Sequence, residues 1–193
     1  MSLLRAIDLI GCAALSDIGA LARCPAIEVL RLANCALVRD FSPISRLARL
    51  RLLDMQWCDQ VSDLSFLRAC TRLEHLNLDS CTRAADLAPL SGMTRLRALN
   101  LSACKAIKDL SPLGECRDLE ELHLSSCAMI EDISVLANMP NLRSLDISGC
   151  KLLTDISALK SCARLAEFDM RYCPGITDTA PVAHLADFMR RMM

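Results

Sequence analysis

Pairs of apolar residues separated by one polar residue recur along the chain: Leu30, Arg31, Leu32; Leu53, Asp54, Met55; Leu76, Asn77, Leu78; Leu99, Asn100, Leu101. In an extended chain, successive side chains point to opposite faces, so each triplet predicts a short strand with one buried and one open face. The triplets return every 23 residues. With Leu4 as position 1, further units start at Ile27, Leu50, Leu73, Leu96, Leu119, Leu142 and Leu165, with no insertion or deletion, so eight units cover residues 4–187. No turn leading to a second strand lies within a unit. The strands must therefore pair between units, parallel and side by side, with the rest of each unit as the crossover. That crossover carries helix-start signals: Asp at position 14 in all eight units, Ser at position 16 in five and Pro at position 17 in four. The stretch that remains holds about one to two turns, which predicts a short α or 3₁₀ segment. One unit cannot bury its own apolar face, but stacked units share a continuous core.

A complete LxxLxLxx(N/C)xL pattern stands in "LRALNLSACKAI" (residues 96–107) and repeats eight times in register. On this pattern the chain resembles the leucine-rich repeat proteins over essentially its whole length, residues 1–193. The "DISxL" and "DLSPL" segments are similar to bacterial internalins and to phosphatase-regulatory SDS-type repeats. Cys in place of Asn, in 23-residue units, resembles the Cys-type repeats of trypanosomatid proteins. The resemblance implies an α/β fold: a right-handed solenoid of eight repeats, with a parallel β-sheet on the concave side and short α or 3₁₀ segments on the convex side. It also implies that the concave sheet binds other macromolecules, and it implies no shared catalytic residues. Neither end leaves room for the polar cap that shields a solenoid core. Unit 8 departs from the pattern at Phe168 and Thr179, and "FMRRMM" puts Arg191 where position 4 needs an apolar residue. The expectation is a piece of a larger protein, or a chain whose uncapped ends self-associate.

Composition narrows the partners. The 193 residues are 53% hydrophobic, enough for one continuous core. Lys plus Arg total 22 against 23 Asp plus Glu, so no general charge draws the chain to nucleic acid or to an anionic membrane. No apolar run approaches the ~20 residues of a membrane span. The opening "MSLLRAIDLIGCAAL" lacks a separate basic region and carries Asp8, so it reads as folded structure.

Cysteine supplies 12 residues. Four, at position 21 (Cys24, Cys70, Cys116, Cys162), alternate with Leu47, Met93, Met139 and Leu185, and a site that accepts Leu or Met is apolar and buried. The other eight, Cys12, Cys35, Cys58, Cys81, Cys104, Cys127, Cys150 and Cys173, end the strands at position 9 and form a structural ladder. A thiol there can satisfy a neighbouring carbonyl while packing. Parallel side chains on adjacent rungs have the wrong mutual direction for disulfides. No CxxC or Cys/His zinc spacing occurs, and a nucleophile would single out one thiol rather than eight in register. Free structural thiols predict a reducing, cytoplasmic home.

Recognition then falls to the outward positions 3, 5 and 7, with 2 and 8 at the margins. Position 2 alternates Arg and Glu (Arg5, Glu28, Arg51, Glu74, Arg97, Glu120, Arg143), which predicts a cross-strand charge ladder with a 46-residue period. Positions 3, 5 and 7 vary and are expected to be free of packing duty. Across positions 2, 3, 5, 7 and 8 stand six arginines and ten acids, a local charge of −4. That sign disfavours a phosphate backbone and suits a basic or mixed-charge protein surface. The candidate partner-binding residues are Arg31, Asp54, Trp57, His75, Asp79, Glu121, His123, Asp146, Asp169, Arg171 and Tyr172. Trp57 and Tyr172, both at position 8, are either interface anchors or covers for a loop edge. His123 beside Asp146 and Asp169 lacks a fourth convergent ligand, so no metal is expected. On another edge, position 23 holds Arg49, Arg72, Arg95 and Arg164, a basic strip near Arg46 and Arg51. No phosphate loop, Ser-His-Asp arrangement or cofactor motif appears. The chain therefore reads as a non-enzymatic protein-interaction scaffold. The alternative is a regulatory or adaptor subunit docking on a phosphatase, cyclase or ubiquitin-ligase assembly.

Overall fold

Eight three-residue strands form one parallel sheet in sequential order, in a computed structural model that describes residues 3–185. The strands are β1 Ala6–Asp8, β2 Val29–Arg31, β3 Leu52–Asp54, β4 His75–Asn77, β5 Ala98–Asn100, β6 Glu121–His123, β7 Ser144–Asp146 and β8 Glu167–Asp169. The register follows the repeat, so Leu30 lies opposite Leu53 and Leu76 opposite Leu99. Backbone pairing extends beyond the strands. The Arg5 carbonyl accepts both Glu28 N–H (2.7 Å) and Val29 N–H (3.0 Å), and Trp57 N–H reaches the Asp79 carbonyl at 2.8 Å.

Every crossover is 3₁₀, from Gly19–Arg23 in unit 1 to Ala180–Leu185 in unit 8. The expected capping is present with a refinement in register. In all eight units the position 14 Asp accepts the backbone N–H two residues on, at 2.6–2.9 Å. The cap therefore comes from one residue before the helical boundary, whose own side chain (Phe41, Leu64 or Leu110, for example) is buried in the core. Pro43, Pro89 and Pro112 sit in the first helical positions, where a missing N–H costs nothing.

Positions 1, 4, 6, 9, 12, 15, 18 and 21 interdigitate into one core, and no polar or charged residue is buried among the described residues. Seven ladder cysteines each donate their thiol to the position 6 carbonyl of the preceding unit at 3.0–3.3 Å, as Cys104 does to Leu78 and Cys127 to Leu101. The Leu78 carbonyl also accepts Cys81 N–H of its own unit at 3.0 Å. The thiols thus tie successive units together from inside. Burial pushes their ionisation up, to about 11 at Cys58 and about 12 at Cys104 and Cys150, so they stay protonated at neutral pH. Cys12 corrects the eightfold equivalence: it is exposed, because no preceding unit covers it among the described residues. Cys70, Cys116 and Cys162 are buried as expected, and Cys24 is half-buried. Residues 186–193, which include the Arg191 expectation, lie outside the described residues.

A backbone feature escaped the sequence pattern. Position 8 takes a left-handed conformation in every unit, with φ of +70° at Gly11, +60° at Asn34 and Trp57, +56° at Ala103, +73° at Gly149 and +61° at Tyr172. Here the chain leaves the sheet and swings position 9 into the core. The turn recurs whether or not its residue suits positive φ, so the solenoid geometry imposes it.

Candidate interaction face

One face of the sheet packs on the core, and the other carries the side chains of positions 3 and 5 in rows, with no further element over it among the described residues. The register places Glu121, Ser144 and Glu167 side by side in one row and His123, Asp146 and Asp169 in the next. Small residues between long ones leave depressions. Ala98, between His75 and Glu121, opens a groove of about 290 Å³ that reaches Arg31 and His123. Ser144, between Glu121 and Glu167, opens a second of about 290 Å³ lined by His123, Asp146, Glu167 and Asp169.

Position 5 is less free than its variability suggests. In six units its Asp or Asn side chain accepts the position 7 N–H at 2.8–3.1 Å: Asp8, Asp54, Asn77, Asn100, Asp146 and Asp169. This bond satisfies a backbone donor just past the strand end, a structural duty. The signal was visible as six Asx residues in eight positions. The exceptions are Arg31, which cannot accept, and His123, which makes no such bond; they stand at opposite ends of the first groove. Arg31 lies 3.7 Å from Asp8.

The remaining candidates divide the same way. Asp79 is held by Gln56 Nε2 at 3.0 Å and by the Ser80 hydroxyl at 2.9 Å. Arg171 folds back on Asp169, with Nε at 2.9 and 3.0 Å from the two carboxylate oxygens, and this guanidinium holds the Asp169 carboxyl below the usual range. His75, Glu121 and Glu167 project into solvent. Trp57 and Tyr172 are 53% and 80% exposed while held at positive φ, where large residues are outliers. The position 2 ladder is formed: Arg51 binds Glu74 through two bonds (3.0 and 2.7 Å), Arg5 faces Glu28 at 3.4 Å, and Glu120 is shared by Arg97 (3.3 Å) and Arg143 (3.4 Å). Among the described residues, no group of three or more His, Cys, Asp or Glu side chains is placed to hold a metal ion, and no helix is long and apolar enough to cross a membrane.

Comparison with known proteins places this architecture. The family model for leucine-rich repeats (two copies) matches residues 94–138 and 117–161. Among solved structures, an internalin (InlF) from Listeria monocytogenes superposes with a TM-score of 0.83 at 29% identity, over 94% of this chain and 52% of that one. Internalin C2 of the same bacterium gives 0.81 at 23% identity, over 93% of this chain and 76% of that one. A Leptospira interrogans leucine-rich repeat protein gives 0.79 at 17% identity, over 94% and 46%. This chain thus spans about half the length of the InlF chain. Comparison with curated protein sequences gives no match. Repeat pattern, strand order and these likenesses converge: residues 94–161 are leucine-rich repeats, and the chain has the leucine-rich repeat fold.

Proposed function

We propose that the protein is a non-catalytic interaction scaffold that binds another protein on its concave sheet. One observation carries the reading. All-parallel sheets are ordinarily covered on both faces, and this one leaves a face open and lines it with charged and polar side chains in register. A partner of basic or mixed charge fits the β6 to β8 region, where Glu121, Asp146, Glu167 and Asp169 meet no Lys or Arg at positions 3 or 5. A plant peptide hormone receptor, RGFR1, solved in complex with RGF2, shares the fold with a TM-score of 0.54 at 16% identity over 87% of this chain and 32% of that one. The free, buried thiols support a reducing intracellular location.

The test uses residues without structural duty. Affinity capture with wild-type bait is compared with capture by Glu121→Lys/Glu167→Lys. A partner held by the sheet face is lost with that variant and retained when convex-side Lys160 is replaced by Glu. Capture indifferent to the sheet-face change refutes the proposal.

A further inference from the structure

The edge where each crossover climbs back to the sheet carries arginines that the sheet-face reading does not use. Position 23 is Arg49, Arg72 and Arg95 in three successive units, stacked by the register at about the 4.8 Å spacing of adjacent strands. All three are exposed, and no ion pair or hydrogen bond engages them among the described residues. The nearest acids are committed elsewhere, Glu74 to Arg51 and Glu28 to Arg5. With Arg51, the three line a groove of about 410 Å³ that also touches Glu28 and Glu74; four guanidiniums against two carboxylates leave it at +2. Like charges in register repel, and the repeat does not require them, since position 23 is Ala26 in unit 1 and Asp118 in unit 5.

We infer that this row is a docking edge for an acidic protein segment, distinct from the concave face. A guanidinium fork takes a carboxylate through two parallel bonds. The row is one side chain wide, with Glu28 and Glu74 toward the sheet and Glu115 and Asp118 beyond its end. A duplex would press its phosphates against these acids, whereas one peptide strand or helix face follows the arginines alone. Single-stranded nucleic acid is gripped by aromatic stacking platforms beside the basic track. The described aromatics, Phe41, Trp57, Phe66, Phe168 and Tyr172, all lie at other positions of the repeat.

The experiment measures fluorescence anisotropy of a labelled octa-glutamate peptide. Wild-type protein should bind it saturably, and more weakly as salt rises. Replacing all three arginines by Gln should weaken binding about tenfold or more, at about two- to fivefold per exposed pair, while Glu121→Lys/Glu167→Lys should not weaken it. If the triple variant shows a disturbed far-UV spectrum, Arg72→Gln alone serves, with a loss of about two- to fivefold expected. Absence of saturable binding, undiminished binding by the Gln variants, or tighter binding of oligothymidylate or phosphatidylserine vesicles than of the peptide would each overturn the inference. So would a self-association of the protein that occupies this edge and is lost in the triple variant. Because the Gln variants leave the sheet face intact, failure here is distinguishable from failure of the concave-face proposal.

Discussion

Replacing Asn100 with alanine removes the acceptor that holds Ser102 N–H at 2.9 Å. The donor sits just past the end of β5, where strand pairing supplies it no carbonyl. A net hydrogen bond is worth about 1 kcal/mol, and leaving a buried donor unpaired costs somewhat more. Asn100 is only half-buried, so water recovers part of the loss, and about 0.5–1 kcal/mol is expected. At a urea slope of about 2 kcal/mol/M, the unfolding midpoint should fall by about 0.25–0.5 M. Asn100→Asp keeps the acceptor, as Asp54 and Asp146 do in their own units, and should stay within about 0.2 M of wild type. The reciprocal change is His123→Asn, which supplies the acceptor that unit 6 lacks and should raise the midpoint by a similar amount. Stability gained there would accompany lost partner affinity if His123 serves recognition, a common trade at binding sites. Urea titration by far-UV circular dichroism reads all three variants. Equal losses for Asn100→Ala and Asn100→Asp, or a fall in midpoint for His123→Asn, would refute the structural duty of position 5.

The left-handed turn makes opposite demands in different units. Gly149→Ala, at φ +73° with a new Cβ 3.4 Å from Ser126 Cα, should cost about 1–2 kcal/mol, whereas Ala103→Asn should be neutral or stabilising in thermal denaturation. In Cys104→Ala, the Leu78 carbonyl loses its 3.1 Å thiol bond and a small cavity opens in a fully buried site; a loss of about 1–3 kcal/mol is expected by denaturant titration. Thiol labelling of the native protein should modify Cys12 first, with the seven buried ladder thiols reacting only on unfolding; rapid reaction of all eight would contradict the packing. Stability should also fall in acid. Backbone N–H and hydroxyl groups of Ser65, Ser111 and Ser157 hold Asp63, Asp109 and Asp155 below the usual carboxylate range. Their contribution is therefore present above about pH 4 and lost as pH drops through the folded-state values. Triple Asp→Asn replacement should flatten that dependence in midpoint-against-pH curves.

Much of this molecule was written in the period. Apolar residues at fixed positions in a 23-residue repeat leave only one way to bury them all, parallel stacking, so strand order, register, core membership and the burial of Cys104 or Cys70 followed from the sequence. The Arg and Glu alternation likewise predicted the pairs that formed, since register alone sets those neighbours. Tertiary structure decided what depends on backbone direction and on three-dimensional neighbours. The positive φ at position 8 left no mark in residues as unlike as Trp57, Ala103 and Tyr172, because solenoid geometry overrides local preference there. The difference between Asp146, which bonds the backbone, and Glu121, which projects into solvent, arises from where a loop N–H points. The exposure of Cys12, identical in register to Cys104, arises from having no unit above it among the described residues. A repeat prescribes what all copies share; only the assembled stack distinguishes one copy from another, because each is defined by its neighbours.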